Sequence, residues 1–295
     1  MSKKPKIIVV LGETASGKTA LGHFLALKLD AEIISADSRQ VYKRLNLGTN
    51  KEQLSVKQHL IDIVEPETRF TAKHFKTRAE QVIKKLLKEK KVPIIVGGTN
   101  LYLESLINNY TFASENLALR LQLQKLSPEQ LQTQLKKLDP VAGAKIDPQN
   151  KRYLMRAIEK AQTKSVAGQQ DSPYEFLLLR PEVSRAELYT RLDGRVDERL
   201  QAGLWPEVEQ LLQDGVSPDW LKSLGLEYKY LTMGILNELS KEEVVSQLKF
   251  ASHRFARRQA TWWRRPDWPA KINVVATKEQ ALKLAQKFLN NGSGR

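Results

Sequence analysis

Gly12-Glu13-Thr14-Ala15-Ser16-Gly17-Lys18-Thr19 decides the fold. It fits G-x-x-x-x-G-K-[ST], and its flanks are what that pattern requires. Before it, Ile7-Ile8-Val9-Val10-Leu11 is an apolar, β-branched run that predicts a buried parallel strand. After it, residues 20–29 carry apolar side chains at helical spacing. A strand, a glycine-bearing turn and a helix in that order turn backbone N–H groups inward around a phosphate, and the helix N-terminus adds partial positive charge. Lys18 is then placed to reach a terminal phosphate, and the Thr19 hydroxyl to sit on Mg²⁺. Gly12, Glu13, Thr14, Ala15, Ser16, Gly17, Lys18 and Thr19 together form the expected loop for a di- or triphosphate. The motif does not say whether that is ATP.

Working outward, residues 31–37 (Ala-Glu-Ile-Ile-Ser-Ala-Asp) predict a second strand ending in Asp37. Strand C-termini in a doubly wound sheet open onto the ligand crevice, so Asp37 is expected to face the phosphate loop, where an acceptor would need a base. The competing use of an aspartate there is to cap the next turn. His59 to Val64 reads as a short strand or turn closed by Glu65-Pro66, and Phe75 to Lys91 as an amphipathic helix. Val92 to Val96 is another buried strand. Gly97-Gly98-Thr99-Asn100 follows as a second glycine-rich turn toward the crevice, then an apolar helix from Leu101 to Ile107. The expected fold class is α/β: a P-loop NTPase-like doubly wound parallel sheet with an inserted helical subdomain and a helical C-terminal part.

From about Ser114 to Pro173 the strand signal vanishes. The α/β core is therefore expected over 1–113 and 174–295, with a helical insertion over 114–173. Ser127-Pro128, Asp139-Pro140 and Asp147-Pro148 open helices. Residues 151–162 form a basic helix whose Arg152 and Arg156 are either a solvated face or contacts to a polyanion. Lys164 to Pro173 reads as a loop, and Phe176 to Leu179 returns to the sheet. Ser184 to Glu187 is a capping box. The helix behind it carries Arg191, Arg195 and Arg199 on one face, free to clamp phosphate or to pair with local carboxylates. A capped helix from Ser240 to about Trp263 ends in Arg254-Phe255-Ala256-Arg257-Arg258-Gln259-Ala260-Thr261-Trp262-Trp263-Arg264-Arg265. Arginines mixed with tryptophans suit phosphate contacts plus base stacking, or core tryptophans flanked by snorkelling arginines. A strand over Ile272 to Val275, a helix over Thr277 to Leu289 and a mobile tail complete the chain.

Composition narrows the classes. The 295 residues are 41% hydrophobic, enough for a sizeable core. No window is long and apolar enough to span a bilayer, and the N-terminus enters a strand, not a signal-type region. There is no cysteine, which removes disulfides and thiolate metal sites, and the four histidines show no metal spacing. The expectation is a cytoplasmic, monomeric enzyme without membrane contact. A net charge of +15 favours a polyanionic partner bound in a salt-dependent way. The residues alone support transfer of a group activated by a phosphate leaving group to an acceptor on nucleic acid. A small-molecule kinase is the competing enzyme reading. A nucleotide-switched nucleic-acid-binding protein is the non-enzyme one.

Several ordered motifs together resemble the tRNA dimethylallyltransferase family of bacterial type, over most of the chain. They are residues 12–19; Ser35-Ala36-Asp37-Ser38-Arg39-Gln40-Val41-Tyr42-Lys43 followed by Gly48-Thr49; His59 to Ile63; Val96 to Tyr102; and Arg257-Arg258-Gln259-Ala260-Thr261-Trp262. The resemblance implies that dimethylallyl diphosphate and tRNA give N6-dimethylallyladenosine 3′ of the anticodon, plus diphosphate. It implies that the phosphate loop serves the prenyl donor. Asp37 would accept the amine proton, and Thr99 would help orient Asp37 or the amine. Lys18, Thr19, Mg²⁺ and Arg195 would stabilise the departing diphosphate. Arg195 enters because Leu188-Tyr189-x-Arg191-Leu192-x-x-Arg195 resembles the family's donor-binding helix. Ser38, Arg39 and Gln40 would read the flipped base beside Asp37 and Thr99. Arg120, Arg152, Arg156, Arg257, Arg258, Gln259, Thr261, Trp262 and Arg264 would hold the anticodon stem-loop. Three departures stand out: Glu13 where proline is common, Tyr153 in the basic run, and a loose match over Lys222 to Tyr228.

Overall fold

A computed structural model describes residues 4–112, 116–163, 168–265, 268 and 271–291. The expected insertion boundary at 114, part of the Lys164–Pro173 loop and the end of the tail lie outside the described residues. The chain divides into two compact units, residues 1–107 with 172–295, and residues 108–171.

In the first unit, β1 (Lys6–Leu11), β2 (Ala31–Ser35), β3 (Gln58–His59), β4 (Val92–Gly97), β5 (Glu175–Pro181) and β6 (Ile272–Val275) form one sheet in the order β3-β2-β4-β1-β5-β6. Every pairing is parallel. Helices numbered along the chain begin with α1 (Lys18–Lys28), α2 (Ala72–Lys88) and α3 (Asn100–Ile107). The second unit holds α4 (Leu117–Gln124), α5 (Pro128–Leu138), α6 (Pro140–Lys145) and α7 (Lys151–Thr163). The first unit resumes with α8 (Arg185–Gln201), α9 (Leu204–Gln213), α10 (Pro218–Leu224), α11 (Leu226–Ile235), α12 (Lys241–Trp263) and α13 (Lys278–Asn290). No helix among the described residues is long and apolar enough to cross a membrane.

The continuous apolar runs explain the central strands. Ile7 to Leu11 are fully buried, as a parallel strand covered on both faces must be. Ile8, Val10, Ile94 and Leu179 pack with Leu21 and Leu25 of α1 and with Ala281 and Ala285 of α13. A second cluster joins Val41, Tyr42 and Leu45 to α9, α10, α11 and the N-terminal half of α12. The helical unit has its own core, with Leu131, Leu135, Leu154 and Ile158 fully buried.

Local chemistry sets the ends. α2 starts three residues before the expected Phe75, because the Thr71 side chain accepts the His74 N–H. It stops before the expected Lys91, where Lys90 takes a left-handed φ of 58°. β3 ends at His59, since Leu60 and Asp62 turn the chain with φ of 63° and 54°. Asp147-Pro148 makes a turn, not a helix start; the Asn150 side chain then accepts the Tyr153 N–H as α7 begins.

Candidate active site

The loop between β1 and α1 has the required shape. Gly17, the N-cap of α1, has φ of 89°, a conformation that a side chain would strain. The Ser16 N–H donates to the Glu13 carbonyl at 3.2 Å, and Lys18 Nζ donates to the same oxygen at 3.2 Å. Ser16 Oγ is buried with no partner among the described residues. Burial pulls the Lys18 ammonium down from 10.5 to about 8; Asp37 pulls it back up and Arg195 pushes it further down. An orphaned hydroxyl and a desolvated ammonium under one loop are the groups an anion would satisfy.

A cavity of about 460 Å³ lies at the carboxyl ends of β1, β2 and β4. Thr14, Lys18, Thr19, Asp37, Ser38, Arg39, Gln40, Thr99, Arg195, Arg258 and Gln259 all line it. The close approach of the β2 and β4 ends rests on Gly97, whose Cβ would sit 2.3 Å from the Ala36 carbonyl oxygen. Asp37 caps the following turn through Oδ1, which accepts the Arg39 N–H at 2.8 Å, while Oδ2 has no partner among the described residues. Thr99 Oγ1 accepts the Ser38 N–H at 2.9 Å, which pins the peptide next to Asp37. Burial lowers the Arg39 guanidinium, which stays charged.

Gln40 lines the cavity with both ends of its amide already bonded. Its Oε1 accepts from Ser35 Oγ at 2.7 Å, and its Nε2 donates to the Thr49 and Asn50 carbonyls at 3.1 Å. It holds the Gly48-Thr49 loop, which Glu207 grips from the other side by accepting the N–H groups of Asn46, Leu47 and Gly48. Gln259 is likewise used internally. It is 5% exposed, accepts the Thr14 N–H and donates to the Gly98 carbonyl.

The three aligned arginines separate. Arg191 pairs with Glu187, and Arg199 with Glu227 at 2.7 Å. Arg195 lines the cavity with no carboxylate partner among the described residues, and burial lowers it. The carboxylates beside it are taken: Asp193 by His253 at 2.9 Å and Asp197 by Lys249 at 2.8 Å, both from α12. At the end of α12, Trp263 is 6% exposed, and the Arg265 guanidinium covers the Trp262 ring at 4.8 Å. Trp262 is half-buried, and Arg257, Arg258, Thr261 and Arg264 are exposed. In the helical unit, Arg120 and Arg156 share Glu159 at 3.5 and 3.0 Å, and Arg152 is exposed.

Sequence reasoning did not single out Arg180. It follows the buried part of β5 and holds Glu13 in the phosphate loop through two bonds of 3.2 and 2.6 Å. Its place near a strand C-terminus was the signal that could have found it. Glu52 and Glu227 also line the cavity and were not anticipated; Glu52 lies outside the motifs, and Glu227 in the loosely matching stretch Lys222 to Tyr228.

The family model described as IPP transferase matches residues 40–266. A tRNA dimethylallyltransferase of Pelotomaculum thermopropionicum is 39% identical over 280 residues, covering 90% of this chain and 89% of that protein. One from Staphylococcus aureus is 41% identical over 282 residues, covering 88% and 90%. The solved structure of a tRNA delta(2)-isopentenylpyrophosphate transferase from Staphylococcus epidermidis superposes with a TM-score of 0.71 at 33% identity, over 98% of this chain and 99% of that one. With the parallel sheet and the glycine loop already in place, the fold is P-loop NTPase-like, and the chain belongs to the IPP transferase family, that of the tRNA dimethylallyltransferases.

Proposed function

We propose that this chain transfers a dimethylallyl group from dimethylallyl diphosphate to N6 of the adenosine 3′ of the anticodon in tRNA. The observation that carries the reading is the pairing of two kinds of unsatisfied group around one cavity. Lys18 and Arg195 line it with no carboxylate paired to either among the described residues, and Asp37 lines it with Oδ2 unclaimed. The family supplies the donor and the acceptor that such a site would join.

The chemistry follows from those groups. The N6 lone pair attacks C1 of the prenyl chain as the C1–oxygen bond breaks. The bonding electrons leave with the diphosphate, and the amine proton passes to Asp37. Lys18 and Arg195 face the oxygens on which charge grows, so they act most strongly in the transition state. Thr19 lines the cavity with its hydroxyl unclaimed among the described residues, and would hold a Mg²⁺ ion there. Such an ion would add charge stabilisation to the leaving group. Thr99 keeps the Asp37–Ser38 peptide in place, so that Oδ2 meets the amine.

The target base must leave its stack to enter the cavity. Ser38 and Arg39 would meet it there. The exposed Arg257, Arg258 and Arg264, together with Arg152, Arg156 and Arg120 of the helical unit 108–171, would take the phosphates of the stem-loop. A net charge of +15 supports that assignment. The protein would work as a monomer in the cytoplasm, where its tRNA substrate is. Unmodified tRNA with labelled dimethylallyl diphosphate and Mg²⁺, run beside labelled ATP without donor, tests the reading. Prenyl label in tRNA is expected. Phosphate transfer from ATP to a small acceptor, with no prenyl transfer, would overturn it in favour of the kinase.

A further inference from the structure

Gln259 lies on the buried side of α12, and both ends of its amide are committed. Oε1 accepts the Thr14 N–H at 2.9 Å, and Nε2 donates to the Gly98 carbonyl at 2.9 Å. Thr14 belongs to the phosphate loop. Gly98 precedes Thr99, whose hydroxyl oxygen holds the Ser38 N–H beside Asp37. Among the described residues no other side chain bonds both loops. The contact is close: a Cβ at position 98 would sit 2.8 Å from Gln259 Nε2 and 3.1 Å from the Gly12 carbonyl oxygen, so a side chain there would displace the amide.

We propose that Gln259 is a positioning residue for transfer, fixing the phosphate loop against the turn that carries Thr99 and, through it, Asp37. The inference rests on the transferase reading above. It reassigns Gln259 from direct contact with tRNA to the spacing between the two halves of the site. The helix that supplies it also displays the exposed Arg257 and Arg258, so the same element that faces solvent with cations holds the donor loop from behind. The choice of side chain follows from the two partners. One is an N–H and the other a carbonyl, so the bridge must accept and donate at once, which a neutral amide does and a carboxylate does not. Leaving both loop groups buried and unpaired would cost more than the bonds themselves contribute.

The test uses the full chain, with Gln259→Met and Gln259→Glu beside wild type. Three quantities are read: steady-state transfer into unmodified tRNA, the Kd for inorganic pyrophosphate by calorimetry, and thermal denaturation. Methionine keeps the volume and loses both bonds. Its expected effect is about a tenfold rise in donor KM and in the pyrophosphate Kd, with the tRNA KM within about twofold of wild type. Glutamate carries the sharper signature. Ionised, it faces the Gly98 carbonyl with a lone pair; protonated, it accepts and donates as the amide does. Burial favours the protonated form and the neighbouring Lys18 the ionised one, so transfer by Gln259→Glu relative to wild type at the same pH should rise as pH falls through the titration of that carboxyl. A role in packing alone would leave the donor KM and the pyrophosphate Kd of Gln259→Met at their wild-type values.

Donor KM and pyrophosphate Kd unchanged in Gln259→Met, or a flat Gln259→Glu ratio, would overturn the proposal. If Gln259→Met does not fold, the glutamate ratio decides. A wild type that transfers no prenyl group, yet binds pyrophosphate more weakly in both variants, would sink the transferase reading and support the loop-positioning role. A wild type without transfer and with one Kd across all three proteins would sink both.

Discussion

Burial draws the Lys18 ammonium from 10.5 to about 8, and this makes the phosphate loop a source of instability as well as of affinity. Between pH 8 and 10.5 the unfolded chain holds a proton that the folded chain has released, so stability rises with pH across that window. Below pH 8 the penalty is fully present. At 1.36 kcal/mol per pH unit it amounts to roughly 3 kcal/mol. Lys18→Met keeps the stem and removes the charge. It also gives up the bond to the Glu13 carbonyl, worth about 1 kcal/mol, though that oxygen keeps the Ser16 N–H. The variant should therefore be about 2 kcal/mol more stable than wild type at pH 7, raising Tm by roughly 4–8 °C for a unit of this size. The gain should vanish by about pH 10, where the remaining penalty equals the lost bond, and reverse by a fraction of a kcal/mol at pH 10.5. Pyrophosphate binding should fall by about 10- to 100-fold in the same protein, since a charged donor to the anion is gone. Melting curves at several pH values, with and without pyrophosphate, read both effects. A Lys18→Met protein no more stable than wild type at pH 7 would refute the claim that the loop holds a desolvated, unsatisfied cation.

Other changes separate the roles assigned to the site. Asp37→Asn retains an oxygen for the Arg39 N–H but no base; kcat should fall by about 10²–10⁴ with pyrophosphate and tRNA affinity nearly kept, and full turnover would remove Asp37 from the mechanism. Arg258→Ala should weaken tRNA binding and lower the slope of log K against log salt by about one, measured by filter binding; an unchanged slope would return Arg258 to a solvated surface role. Arg180→Met strands the buried Glu13 carboxylate and should cost about 3 kcal/mol by denaturant unfolding, most of it recovered in Glu13→Leu/Arg180→Met. Equal stability of the single and double variants would mean the pair does not hold the loop.

The phosphate loop and the parallel core were legible because their signals are local. Ile7 to Leu11 is apolar throughout, and Gly12 to Thr19 has a fixed spacing. The three short helices α9, α10 and α11 were passed over, although Ser217-Pro218 opens α10 much as Ser127-Pro128 opens α5. Their stability comes from packing on Val41, Tyr42 and Leu45, which no window of sequence displays. In the candidate site the residue types were readable and their partners were not. Arg191, Arg195 and Arg199 look alike in a row; only the fold gives Arg191 and Arg199 a carboxylate and leaves Arg195 in the cavity wall without one. Gln40 and Gln259 read as polar groups free to meet RNA, and tertiary contacts claim both amides. Glu13 reads as a departure from a common proline, and the compensating Arg180 stands 167 residues away in the chain.

The most direct test of the account is to digest tRNA after incubation with the protein, Mg²⁺ and dimethylallyl diphosphate, and to identify the modified nucleoside by mass spectrometry. The account predicts dimethylallyladenosine at the position 3′ of the anticodon with wild type, and none with Asp37→Asn. Unmodified tRNA with the wild-type protein, or equal modification by the Asp37→Asn variant, would contradict it.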